Sequence, residues 1–273
     1  MDTSARRQNL PGIDLLSILA AMIVLAYTLE RFIDLPSWEI SRQLPGLYLE
    51  LTINVTMITS LLVACMTAAG TNWLMREHPA SQKKLALQQT ILPALTALVI
   101  GIPLSTIPIG IGWWIGLISG VFILVLVIIA EYISVDPGDI RLPFANAALS
   151  AVSFALFLVL AGALRAAEVR LLFITPALIL AAWLVSLRVT NLRLQGEWTI
   201  YESAIIALVV GQVAAAFYYW PLAPITFALV LLGPTYALIS LFCNLIEEKP
   251  VRQVITEPII SILIAWGAAF IIR

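Results

Sequence analysis

Long apolar stretches recur along the whole chain, each bounded by a few charged or turn-forming residues. They cover positions 13–33, 47–69, 87–107, 112–133, 142–164, 169–187, 199–219, 221–245 and 257–272. A helix needs about 20 mostly apolar residues to cross the hydrocarbon core of a bilayer, and these runs are of that length. Inside lipid every backbone N–H and C=O must be satisfied within the protein, which favours helices. The pattern therefore predicts an all-α polytopic transmembrane helix bundle of about nine spans, forming one membrane domain. The third run is the least regular, because Pro93, Pro103 and Pro108 interrupt it. Residues 1–11, with Arg6 and Arg7, have the look of a secretory n-region. The run that follows is long enough to span and lacks a small-residue cleavage pattern, so it reads as a retained first span. Residues 34–46 carry Trp38 and Ile40 among charges, a composition suited to lying along the outer interface.

Composition turns this pattern into a statement about solvent. Of 273 residues, 61% are apolar and 11% charged, whereas a soluble domain carries about 25% charged residues. No globule of this size hides so much apolar surface from water. The net charge of −1 provides no basic surface for nucleic acid, and the bilayer itself is the expected partner. With the N-terminus placed in the cytoplasm, ten cations fall on the inner side: Arg6, Arg7, Arg76, Lys83, Lys84, Arg141, Arg188, Arg193, Lys249 and Arg252. Five fall on the other: Arg31, Arg42, Arg165, Arg170 and Arg273. That bias is the positive-inside pattern. It predicts a cytoplasmic membrane protein with its C-terminus outside. Trp113 and Trp114, and Tyr218, Tyr219 and Trp220, fall at two uncharged outer turns, where aromatic rings anchor at the headgroups.

A second pattern lies on top of the first. Ala97-Leu98-Val99-Ile100-Gly101 in the third span matches Ala207-Leu208-Val209-Val210-Gly211 in the seventh. Thr71-Asn72 closes the second span as Thr190-Asn191 closes the sixth. Glu131, Asp136, Pro137 and Arg141 at the exit of the fourth correspond to Glu247, Glu248, Pro250 and Arg252 at the exit of the eighth. Each match advances by four spans, so matched helices run the same way. This predicts parallel repeats over 13–134 and 142–246, plus a ninth helix at 257–272. Chance matching among Leu, Ile, Val and Ala is the competing explanation.

Candidate chemistry is sparse. Cys65 and Cys243 sit singly in apolar runs and His78 lies in a polar loop. Nothing here has the spacing of a haem, zinc or other metal site, and no cofactor is expected. Ionisable and amide groups inside a membrane are costly, so they mark where to look. Glu50 and Asn54, one turn apart on the second span, and Gln212 near the middle of the seventh are the candidate polar binding site. Their alternative role is hydrogen bonding between helices. Glu131, Asp136 and Asp139 at the inner exit of the fourth span are acids suited to Mg²⁺ and a phosphate headgroup, although Asp136-Pro137-Gly138-Asp139 is also turn composition. Gly112, Gly116 and Gly120 form a GxxxGxxxG face for close helix packing, with the small residues of the fifth span as the expected partner.

The segment Glu247-Glu248-Lys249-Pro250-Val251-Arg252 resembles the EExxxR element of membrane-embedded CAAX-type metalloproteases. That family also needs histidines on other helices, and this chain's single histidine is in a loop. No HExxH pair, serine-hydrolase motif or paired DxxxD acids occur either. The sequence therefore points away from an enzyme and toward a non-enzymatic membrane component that binds or positions a partner protein or a lipid. A small transporter or lipid flippase is the alternative, and a lipid-modifying enzyme using the inner-face acids comes last.

Overall fold

The computed structural model describes residues 12–32, 38–44, 47–53, 55–76, 87–136 and 138–272, with only the backbone for both strands and for residues 13, 55–57 and 87. Among them are nine helices: α1 (Ile13–Phe32), α2 (Val55–Arg76), α3 (Leu87–Thr106), α4 (Ile111–Ser134), α5 (Leu142–Ala166), α6 (Leu171–Arg193), α7 (Ile200–Tyr218), α8 (Pro224–Ile246) and α9 (Val251–Ile271). All nine are long and apolar enough to cross a membrane, and the protein is a transmembrane-type helix bundle. The expected bounds need three corrections. α2 begins at Val55 rather than at position 47, because Leu47–Ile53 is a strand, β2, paired antiparallel with β1 (Trp38–Leu44). Leu47, Leu49, Leu51 and Ile53 alternate with Tyr48, Glu50 and Thr52, the period of two that a strand uses. α6 runs six residues beyond position 187, and α9 starts six residues before position 257.

The chain divides into two compact units, Met1–Asp139 and Ile140–Arg273. In the first, α2 lies along α3, α1 along α2 and α4 along α3, and α1 meets α4 to close a four-helix bundle. Tyr27, Trp113, Leu117, Leu124 and Ile128 fill its centre. Trp113 is therefore a core residue, 1% exposed, and not the headgroup anchor its position at a turn suggests. Its neighbour Trp114 is the exposed ring. The stripe on α4 faces α3. A Cβ on Gly120 would lie 2.7 Å from Ile100, and one on Gly116 would lie 3.5 Å from Leu104, while Gly112 has open space beside it. A helix follows its hairpin partner when the turn between them is short, and only Ile107–Gly110 separates α3 from α4.

In the second unit, α6 lies along α7, α5 along α6 and α7 along α8, and α5 closes on α8. α9 is then laid against α8, which makes α8 the most buried span. Lipid tails are as apolar as leucine, so this packing rests on dispersion and on hydrogen bonds between helices. Three helices here end on a residue of left-handed backbone: Glu168, Gln195 and Glu248. After each, an N–H reaches back five residues: Val169 to Leu164, Gly196 to Asn191 and Lys249 to Asn244. These bonds satisfy carbonyls that a helix end leaves open.

Candidate functional site

The second unit carries an open groove of about 760 Å³ whose lining comes from α5, α8 and α9. Leu229, Leu232, Gly233 and Tyr236 of α8 form one side, Ile260, Ser261, Ile264, Ala265 and Ala268 of α9 another, and Phe154 of α5 closes it. Phe154 and Tyr236 meet ring to ring at 5.3 Å. Two local features of α8 bring α9 in. Pro234 has no N–H, so the carbonyl of Val230, one turn earlier, loses its helical donor. Trp266 of α9 donates its indole N–H to that carbonyl at 3.2 Å. Gly233 lets the backbones approach, since a Cβ there would lie 2.9 Å from the Cβ of Ala265.

At one end the groove becomes polar, where Lys249, Gln253, Thr256 and Glu257 line it. Asn244, fully buried at the last turn of α8, organises this end. Its amide nitrogen donates to Glu257 Oε2 at 2.8 Å and to Ser240 Oγ at 3.3 Å. Its oxygen accepts from Lys249 Nζ at 3.0 Å and from Arg193 Nη2 at 3.5 Å. Two donor and two acceptor positions are all an asparagine has, so Asn244 is saturated. Lys249 also pairs with Glu247 at 2.6 Å, and Arg193 lies 4.0 Å from Glu257. The left-handed turn at Glu248 folds Lys249 back over the end of α8 to make these contacts.

The extra turns of α6 bring a second polar layer inside the bundle. Arg188, 2% exposed, donates to Asn191 Oδ1 at 2.8 Å, and Thr190 and Thr199 share a hydroxyl contact of 2.6 Å. Asn191 also donates to the Glu197 carbonyl at 3.2 Å. This layer ties the end of α6 to the following turn and contributes nothing to the groove lining.

The residues singled out by sequence are not gathered here. Glu50 belongs to β2, not to a helix, and Asn54 lies outside the described residues. Gln212 is exposed on α7 and does not line the groove. Glu131 is fully buried on α4 with Ser134 Oγ donating to it at 3.3 Å. Asp136 Oδ1 accepts the Gly138 N–H at 2.9 Å, as a turn does. Among the described residues no three His, Cys, Asp or Glu side chains gather to hold a metal. Glu247 and Glu248, of the EExxxR-like segment, are the exposed cap residues that end α8.

Asn244, Arg193 and Glu257 were missed by sequence reasoning. Glu257 carried the available signal, since starting the ninth span at Val251 places a carboxylate nearly two turns inside a membrane helix. No curated protein and no solved structure matches the chain. A family model described as "Protein of unknown function (DUF5656)" matches residues 35–272, from ahead of β1 to the end of α9. The chain belongs to that family, DUF5656.

Proposed function

We propose that this protein is a non-enzymatic membrane component that holds a membrane lipid in the groove between α5, α8 and α9. The observation that carries the reading is the division of the groove: a long apolar length on α8 and α9, and a single charged end at Lys249 and Glu257. That is the polarity profile of a lipid, whose tail needs dispersion partners and whose head needs hydrogen bonds. From Gln253 to Ala268 the α9 wall is about 22 Å long at 1.5 Å per residue, which suits an acyl chain in one leaflet. The charged end lies at the termini of α6, α8 and α9, where headgroup and water are within reach. For a carrier, Gln212 would have to meet a ligand path, and its exposed position on α7 offers none.

The test is native mass spectrometry of the chain extracted in mild detergent. One lipid per chain is expected to persist through washing. Ala268→Trp, which occupies the far end of the apolar length, is expected to weaken retention while circular dichroism keeps the helical content of the parent. A chain that purifies free of lipid, or a lipid retained equally by Ala268→Trp, contradicts the reading.

A further inference from the structure

We infer that the groove selects single-chain amphiphiles carrying a hydrogen-bond donor at the root of the chain and an anionic group just beyond it. This rests on the reading of the groove as a lipid site and names the class of lipid. The argument begins with the order of chemistry along the groove. Going outward from the apolar wall at Ile264 and Ile260, the first charged group met is Glu257, an acceptor. Gln253 follows one turn further, then Lys249 just ahead of the start of α9. A ligand lying tail-inward therefore meets a carboxylate first and a cation second.

The free valences sharpen this. Asn244 is saturated and serves as scaffold. Glu257 accepts from Asn244 at Oε2 and also from the hydroxyl of Ser240, while Oε1 stands 4.0 Å from Arg193, beyond hydrogen-bonding distance. An ionised carboxylate offers about four acceptor sites, so Glu257 keeps capacity for a donor from the groove. Lys249 spends two of its three N–H donors on Asn244 and Glu247, which leaves one. Beside it α9 begins at Val251 with no side-chain cap, so its first N–H groups and its positive dipole end are open to an anion.

Ordinary two-chain phospholipids fit this order poorly. Their ester oxygens, at the root of the chains, would face Glu257 with acceptor against acceptor and no proton between them. Volume points the same way. If each non-hydrogen atom takes the roughly 30 Å³ of a liquid water molecule, the 760 Å³ groove holds about 25 such atoms, which is one chain with a small head. A lysophospholipid, despite the one ester it keeps at the chain root, has a free hydroxyl ahead of its phosphate and so offers Glu257 a proton. So does an N-acyl amino acid, with chain, amide N–H and carboxylate.

The experiment displaces a fluorescent single-chain probe from the full-length protein in detergent micelles. The competitors are a lysophosphatidic acid, its 2-O-methyl ether, the matching diacyl phosphatidic acid, an N-acyl glycine and a fatty alcohol of equal chain length. The lysolipid is expected to compete about tenfold better than its methyl ether, the worth of one hydrogen bond to a charged group. Glu257→Gln, which keeps an acceptor for Asn244, is expected to shrink that ratio. Lys249→Gln is expected to weaken the lysolipid and leave the fatty alcohol unchanged. The stronger of the lysolipid and the acyl glycine identifies the natural pairing of donor and anion. Equal competition by the lysolipid, its ether and the diacyl lipid overturns the selectivity but leaves the lipid site standing. Failure of every amphiphile to displace the probe overturns both. Should Glu257→Gln fail to fold, the comparison of lysolipid with ether on the parent protein still decides.

Discussion

Asn244 shows what one buried residue does where three helix ends meet. Its four bonds hold two cations, a carboxylate and a hydroxyl at the junction of α6, α8 and α9. Asn244→Leu is expected to cost about 1–3 kcal/mol, because it strands the buried Ser240 and removes the shared partner of three half-buried charges. Gln253→Leu, at an exposed position on the same groove, is expected to stay within about 0.5 kcal/mol of the parent. Denaturant titration in detergent micelles measures both, and equal stabilities for the two variants would refute the role given to Asn244. At this scale the sequence was least legible. An Arg 51 residues before the Asn and a Glu 13 residues after it converge only because three helix ends meet, and no local pattern encodes that meeting. Trp113 failed for a related reason: a ring at a turn serves either as anchor or as core, and the choice depends on which way the helix is rotated.

At the scale of elements, the presence of each helix was legible and helix ends were not. Length and hydropathy located all nine helices, since a spanning run is long and charge-poor. The error at β2 arose because an alternating run rich in leucine also satisfies a hydropathy window. We propose that α1–α4 and α5–α8 are copies of one four-helix unit. In each unit the third helix uses a glycine to approach the second: a Cβ on Gly101 would collide with Ser60, and one on Gly211 with Ile179. In each, the threonine before the closing asparagine of the second helix bonds back one turn, Thr71 to Thr67 and Thr190 to Ser186. In each, an arginine near the end of the first helix caps carbonyls where the third ends, Arg31 on Ile107 and Arg165 on Tyr218 and Trp220. Copies predict like responses. Gly101→Leu and Gly211→Leu should each lose about 1–3 kcal/mol to overpacking, and Ile179→Ala should recover part of the loss at 211 in a double-mutant cycle. Loss at only one of the two glycines would count against duplication.

The whole molecule is governed by its exchange of water for lipid, and that much was legible in composition alone. With few charges available, those that reach into the spans are drawn to partners, as Arg188, Arg193 and Glu257 are. The placement of Arg193, Lys249 and the groove's polar end in the cytoplasmic leaflet follows from the positive-inside count and is proposed on that ground. What the sequence hid is the groove, because it exists only where a ninth helix rests on the eighth at Gly233 and Pro234. The central claim, that this groove retains a lipid, is tested most directly by photo-crosslinking in detergent. A benzophenone side chain is placed at Ile264, inside the groove, or at Ile259, exposed on α9 away from it. After extensive washing, illumination at 264 should yield an adduct of lipid mass while 259 captures detergent. Detergent adducts at both positions, or lipid in equal yield at both, would contradict the account.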